Sequence, residues 1–131
     1  MAKIREVRTI RTRANGTWLI VKVITDQPGL YGIGSASDHY RCGTVQTLIE
    51  QSLGPKIIGR DASQIEDIWQ SLLTSGYWRN DSIVNTAMAG IDMALWDIKG
   101  KEAGMPVYQL LGGACRAAVP CYAHASGRDL Q

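Results

Sequence analysis

The sequence predicts an α+β domain: a three-stranded antiparallel meander followed by a helical bundle. Three observations predict it. β-branched residues in period-2 alternation dominate the first forty positions, a Pro-Gly turn joins the two best strands, and apolar spacing of three and four takes over afterwards. With 131 residues the chain is long enough for one domain with a real core and too short for two full-sized ones. Its 45% hydrophobic and 20% charged residues place it among ordinary globular proteins rather than disordered or membrane chains.

The strands come first. "TWLIVKVITD" (17–26) puts Leu19, Val21 and Val23 on one side of the alternation. "QPGL" (27–30) supplies Pro28 and Gly29 where a type II turn wants its central pair. "YGIGSASD" (31–38) is the return strand, and its glycines predict a close backbone approach or a bulge. "KIREVRTIRTR" in front completes the meander, with imperfect alternation. Lys3, Arg5, Arg8, Arg11 and Arg13 make it basic, as suits an edge strand protected by charge.

Helices follow. Val45, Leu48 and Ile49 mark the first, which Gly54 and Pro55 are expected to stop. Ser63 and Glu66 have the spacing of a capping box for the second, which carries Ile65, Ile68, Trp69, Leu72 and Leu73 and closes at Gly76. After "YWRNDS", Asp81 or Ser82 can cap the third and longest helix. Its stripe is Val84, Ala87, Met88, Ile91, Leu95 and Ile98, and Ala89, Gly90 and Ala94 admit close neighbours. Gly104 and Pro106 end it. Beyond the short apolar "VYQLLGG", the segment "AVPCYAHASG" (118–127) reads as one further strand.

Chemistry-bearing motifs are sparse. Asp92 and Asp97 lie five residues apart on the long helix, about 140° around its axis, so they do not converge on one ligand. Asp97 and Lys101 instead have the spacing of an i,i+4 ion pair. "GIGSAS" lacks the third glycine of a dinucleotide fingerprint and the acidic residue that should follow it. Cys42, Cys115 and Cys121 have neither C-x-x-C spacing nor a nearby histidine, which argues against disulfides and zinc and for a reducing, cytoplasmic setting. No run of residues is apolar enough to span a membrane. The two histidines, His39 and His124, both fall where a strand gives way to a loop.

"AMAGIDMALWDIKGKEAGMPVYQLLGG" resembles the helix and connector that join the capping domain to the barrel in the enolase superfamily, in its mandelate racemase-like branch. "GRDASQIEDIWQSLLTSGYWRNDSIVNTAMAGIDMALWDIKGK" is similar to the mannonate dehydratase-like sugar-acid dehydratases of that branch, and the meander, "LYGIGSAS" and "VPCYAHASG" fall in the family's order. The resemblance implies an enolase-like N-terminal capping domain at residues 1–113. Residues 114–131 would then be the connector and first strand of a C-terminal TIM-type (β/α) barrel that is otherwise missing from the chain.

The implied activity is that of a lyase. A proton beside a sugar-acid carboxylate is abstracted, Mg²⁺ stabilises the enediolate, and a β-hydroxyl leaves as water, because so weak an acid ionises only where a cation neutralises the new charge. The family's metal-binding carboxylates and acid–base residues lie on later barrel strands, so this chain is expected to hold neither and to be inactive alone. His124 matches a histidine at the end of the first barrel strand, and His39 falls in the cap loop where the group commonly has a substrate-contacting asparagine. Both are therefore expected to bind substrate, a small-molecule sugar acid, and residues 77–81 are a further candidate loop. An unpaired barrel strand would offer its edge to another chain, so a homo-oligomer is expected. Neither nucleic acid nor membrane is expected as a partner. The alternative is a catalytically weak or inactive family member that acts as a ligand-binding or regulatory protein.

Overall fold

The computed structural model describes residues 1–13 and 16–123. Three strands, β1 (Ile4–Thr12), β2 (Trp18–Thr25) and β3 (Tyr31–Ser35), form one antiparallel sheet in the order β1-β2-β3. Leu19, Val21 and Val23 are fully buried, as the alternation requires. The 27–30 turn closes with Leu30 N–H donating to the Gln27 carbonyl at 3.1 Å. Gly29 sits at φ +80° there, the left-handed position that a type II turn reserves for glycine. The imperfect alternation of β1 has a cause: its register against β2 shifts between Ile4 and Glu6. Segment 59–62 closes the outer edge of that stretch through Ile4 N–H to Arg60 O (2.8 Å) and Ala62 N–H to Ala2 O (2.9 Å).

Helix α1 (Cys42–Leu48) does not stop at Gly54 and Pro55 as the sequence suggests. It runs through a π-helical segment (Ile49–Leu53) into α2 (Gly54–Ile57). The π segment restarts the helix, so Pro55 falls in the first turn of α2, where a missing N–H is tolerated. Gly54 is needed for packing instead. A Cβ there would lie 2.8 Å from Ile49 O and 3.3 Å from Val7 Cβ on β1.

Helix α3 spans Ile65–Leu73, with Ile65, Ile68 and Leu72 buried. The expected capping box is not made, since Gln64 is the N-cap and no side chain bonds the helix start. Ser63 is used elsewhere: its N–H donates to Asp61 Oδ1 at 2.9 Å, and this bond holds the Asp61 carboxyl below its ordinary range. The helix also ends earlier than Gly76, at Thr74, whose N–H closes on the Gln70 carbonyl.

Helix α4 (Ser82–Ala103) forms the second layer against the sheet. Asp81 caps it, accepting from Val84 N–H at 2.9 Å, and Gly104 ends it in the left-handed conformation. Ala87, Met88, Ile91, Ala94, Leu95 and Ile98 are buried in a cluster with β2, α1 and α3, while Val84 packs at its edge. Gly32 and Gly34 allow α4 to lie directly on β3: a Cβ on them would stand 1.8 Å from Ala94 O and 2.0 Å from Gly90 O. Ala89 takes no part, being exposed. The short α5 (Val107–Leu110) buries no residue. Residues 118–123 form no strand, a correction to the sequence expectation with a simple reason: a strand is stable only on a partner's ladder, and none is at hand among the described residues. Residues 124–127 of that expected strand lie outside the described residues.

Candidate functional site

Glycine contacts fix how the connections are distributed. Gly32 meets Ala94 and Gly34 meets Gly90, so α4 runs antiparallel to β3. The chain beyond Ser35 therefore emerges at the same end as the start of α4, which begins about 12 Å past Gly90. The β1–β2 connection opens there too, since Ala36 N–H donates to the Leu19 carbonyl at 2.8 Å. The end of β1, the start of β2 and the segments 36–41 and 77–81 share this end.

His39 sits in segment 36–41 and is exposed. The loop around it is held at both ends. Ser37 Oγ accepts from Leu19 N–H at 3.0 Å and bonds Ser35 Oγ at 2.9 Å, which ties the loop to β2 and β3. Asp38 Oδ1 accepts from Tyr40 N–H (2.9 Å) and Arg41 N–H (2.5 Å), a turn that leads into α1. The imidazole of His39 stands edge-on to the Tyr40 ring, with centroids 4.9 Å apart. Tyr40 is 88% exposed and was not a sequence candidate, although the Asp two residues before it is the signal of such a turn. In segment 77–81 Tyr77 and Trp78 are similarly exposed and stand edge-on to each other, and Asn80 adopts φ +66°. His124, the other expected substrate contact, lies outside the described residues.

The two aspartates of α4 differ, and Asp97 is the one tied into the fold. Asp97 Oδ2 accepts from Ile33 N–H at 2.8 Å and pairs with Lys101 Nζ at 2.8 Å. Lys101 Nζ also donates to Tyr31 O at 2.7 Å. Together the pair gives the open edge of β3 one acceptor and one donor, as a fourth strand would. Asp92 stands on another side of the helix, where burial, reinforced by the nearby Glu66 charge, pushes its carboxyl up from the ordinary range. Among the described residues no three His, Cys, Asp or Glu side chains gather as a metal's donor set. Asp97 is already committed to Ile33 and Lys101. These residues do not fit Mg²⁺. Cys42 is buried, and Cys115 and Cys121 are exposed free thiols.

One three-stranded antiparallel meander backed by a long helix is the capping-domain fold of enolases. Residues 3–112 match the family described as mandelate racemase / muconate lactonizing enzyme, N-terminal domain, and the chain belongs to that family. It is 68% identical over 130 residues to a D-galactonate dehydratase family member of Paenibacillus sp. (strain JDR-2), a match covering 99% of this chain and 32% of the relative. A member of the same name from Musicola paradisiaca is 55% identical over 128 residues, covering 97% and 31%. Among solved structures, an enolase from Pantoea ananatis with bound D-gluconate and Mg superposes with a TM-score of 0.86 at 53% identity, covering 88% of this chain and 28% of that one. The chain spans about a third of the length of the curated relatives it matches.

Proposed function

We propose that this chain is the capping domain of a Mg²⁺-dependent sugar-acid dehydratase acting on D-mannonate or a related aldonate. One observation carries the proposal: nearly the whole chain aligns with D-galactonate dehydratase family members, and it does so over only a third of their length. In this proposal residues 1–113 form the cap and residues 114–131 lead into a barrel. The barrel supplies the metal ligands and the acid–base residues, and the 131-residue chain alone turns nothing over. His39 and His124 contact the substrate. The cap contributes what its own residues can do. A loop pinned by Ser37 and Asp38 presents His39 and Tyr40 with little conformational freedom left to lose, and a cap over a barrel mouth excludes water.

The test is a chimera in which this chain replaces the matched 130 residues of the Paenibacillus relative. Purified with Mg²⁺, it is expected to convert one of D-mannonate, D-gluconate or D-galactonate to the 2-keto-3-deoxy acid. His39→Ala is expected to raise KM at least tenfold, with a smaller change in kcat. A folded chimera that binds an aldonate without turnover would favour the ligand-binding alternative, and turnover by the 131-residue chain alone would sink the division of labour.

A further inference from the structure

The net charge of the chain is concentrated at the end that carries His39. Arg11 and Arg13 lie at the close of β1, Arg41 directly before α1 and Arg79 in segment 77–81, and all four are exposed. The same end holds two carboxylates, and both are already engaged by the backbone. Asp38 accepts from the N–H groups of Tyr40 and Arg41, and Asp81 from that of Val84. Four guanidiniums against two carboxylates account for the whole net charge of +2, because the 14 basic and 12 acidic residues then leave ten of each elsewhere. Elsewhere cations are answered. Arg8 pairs with Glu6, Arg60 with Asp67 and Lys101 with Asp97, while Lys22 and Lys99 lie over the rings of Tyr31 and Trp96. None of the four guanidiniums at the His39 end has a hydrogen-bond or ion-pair partner among the described residues. Like charges gathered without counter-charges repel one another and focus a positive potential that an anion answers.

We infer that this arginine end selects a sugar acid bearing a second anionic group, a carboxylate or a phosphate, at the end away from its reacting carboxylate. The inference rests on the proposed dehydration and narrows its substrate. In that reaction the carboxylate beside the departing proton lies against the cation that neutralises the new charge. No donor set for such a cation gathers among the described residues, so in the proposed division of labour the cap meets the far end of the substrate. A plain aldonate ends there in a neutral hydroxymethyl group, which leaves the guanidiniums unanswered. An aldarate, or an aldonate phosphorylated on its terminal hydroxyl, ends in an anion. Guanidinium engages either anion through two parallel hydrogen bonds and is more weakly hydrated than ammonium, and all four cations at this end are arginine. Arginines on the same segments as the exposed rings of Tyr40, Tyr77 and Trp78 would also suit a single-stranded nucleic acid. An excess of only two charges, with Asp38 and Asp81 inside the patch, is small for a phosphate polymer and favours the small dianion.

Binding to the 131-residue chain tests it without turnover. Amide shifts are followed by NMR at fixed ionic strength as D-gluconate, D-glucarate, D-gluconate phosphorylated on its terminal hydroxyl, inorganic sulfate or a short single-stranded oligonucleotide is added. One of the two dianionic sugar acids is expected to perturb segments 36–41 and 77–81 at a concentration at least about tenfold below gluconate. Whichever acts first identifies the second anion as carboxylate or phosphate. Arg41→Gln combined with Arg79→Gln should erase that advantage while the resonances of the buried core stay in place. Three results overturn the inference: gluconate acting as strongly as the dianions, sulfate acting as strongly as the sugar acids, or the oligonucleotide saturating first. In the chimera with the Paenibacillus relative, kcat/KM should favour the same dianion over gluconate. A chimera faster on gluconate than on either dianion defeats this inference and leaves the proposed function standing. A chimera that dehydrates none of them defeats the proposed function and leaves the anion preference of the chain standing.

Discussion

Asp97 shows how a carboxylate that resembles chemistry can serve architecture. One oxygen accepts the outward N–H of Ile33 and the ammonium of Lys101, which closes an edge that would otherwise invite another strand. The two contributions separate by mutation. Asp97→Ala leaves the Ile33 N–H without its acceptor and should cost about 1–3 kcal/mol in urea unfolding. Asp97→Asn keeps an acceptor and loses only a part-exposed ion pair, so it should cost under about 1 kcal/mol. Equal losses would mean the ion pair carries the stability. Asp92 has the opposite sign. Burial and then Glu66 raise its folded carboxyl above the ordinary 3.8, so the folded state holds a proton that the unfolded state has released. Asp92 therefore destabilises the isolated chain above that window and is neutral below it. The stability gap between wild type and Asp92→Asn should close as pH falls toward 3.8, which denaturation at stepped pH would show.

The elements were legible where one side chain pattern had one physical outcome. Period-2 alternation fixed β2, and the glycines of β3 announced the approach of α4. Gly34→Ala should therefore be among the most damaging single changes, because its Cβ would stand 2.0 Å from the Gly90 carbonyl oxygen and α4 would have to lift from the sheet. Loss of the cooperative transition, or a Tm drop beyond 10 °C, is expected by circular dichroism. Gly43 in α1 is the control, since its Cβ meets nothing nearer than Arg11 Nη1 at 3.4 Å. Gly43→Ala should stabilise by about 0.5–1 kcal/mol through the unfolded state. The misreadings arose where one residue type serves two ends. Gly54 and Pro55 read as a helix stop, yet the π segment turns the proline into a first-turn residue and the glycine into a contact for Val7. Ser63 read as a cap, yet Asp61 two residues earlier captures its N–H.

For the whole molecule, a single buried cluster joins the sheet to α1, α3 and α4, so the domain should unfold in one step. The fold was legible in the sequence because each face of that cluster is written in local periodicity. The site was legible only in part. His39 could be placed on a loop, but the edge-on Tyr40 and the Ser37–Asp38 pinning depend on how β2 and α1 meet that loop in space. This division has a measurable boundary. Helix α5 buries nothing, and residues 114–123 are exposed throughout, so they add no apolar burial to the core. Cutting the chain after Gly113 should therefore leave Tm within about 1 °C and the urea m-value unchanged, because surface segments outside a core contribute within about 0.5 kcal/mol. A fall of several degrees would assign residues 114–131 to the capping domain itself. On the proposed function, in which His124 contacts substrate and residues 114–131 lead into a barrel, the same deletion in the chimera should abolish dehydration.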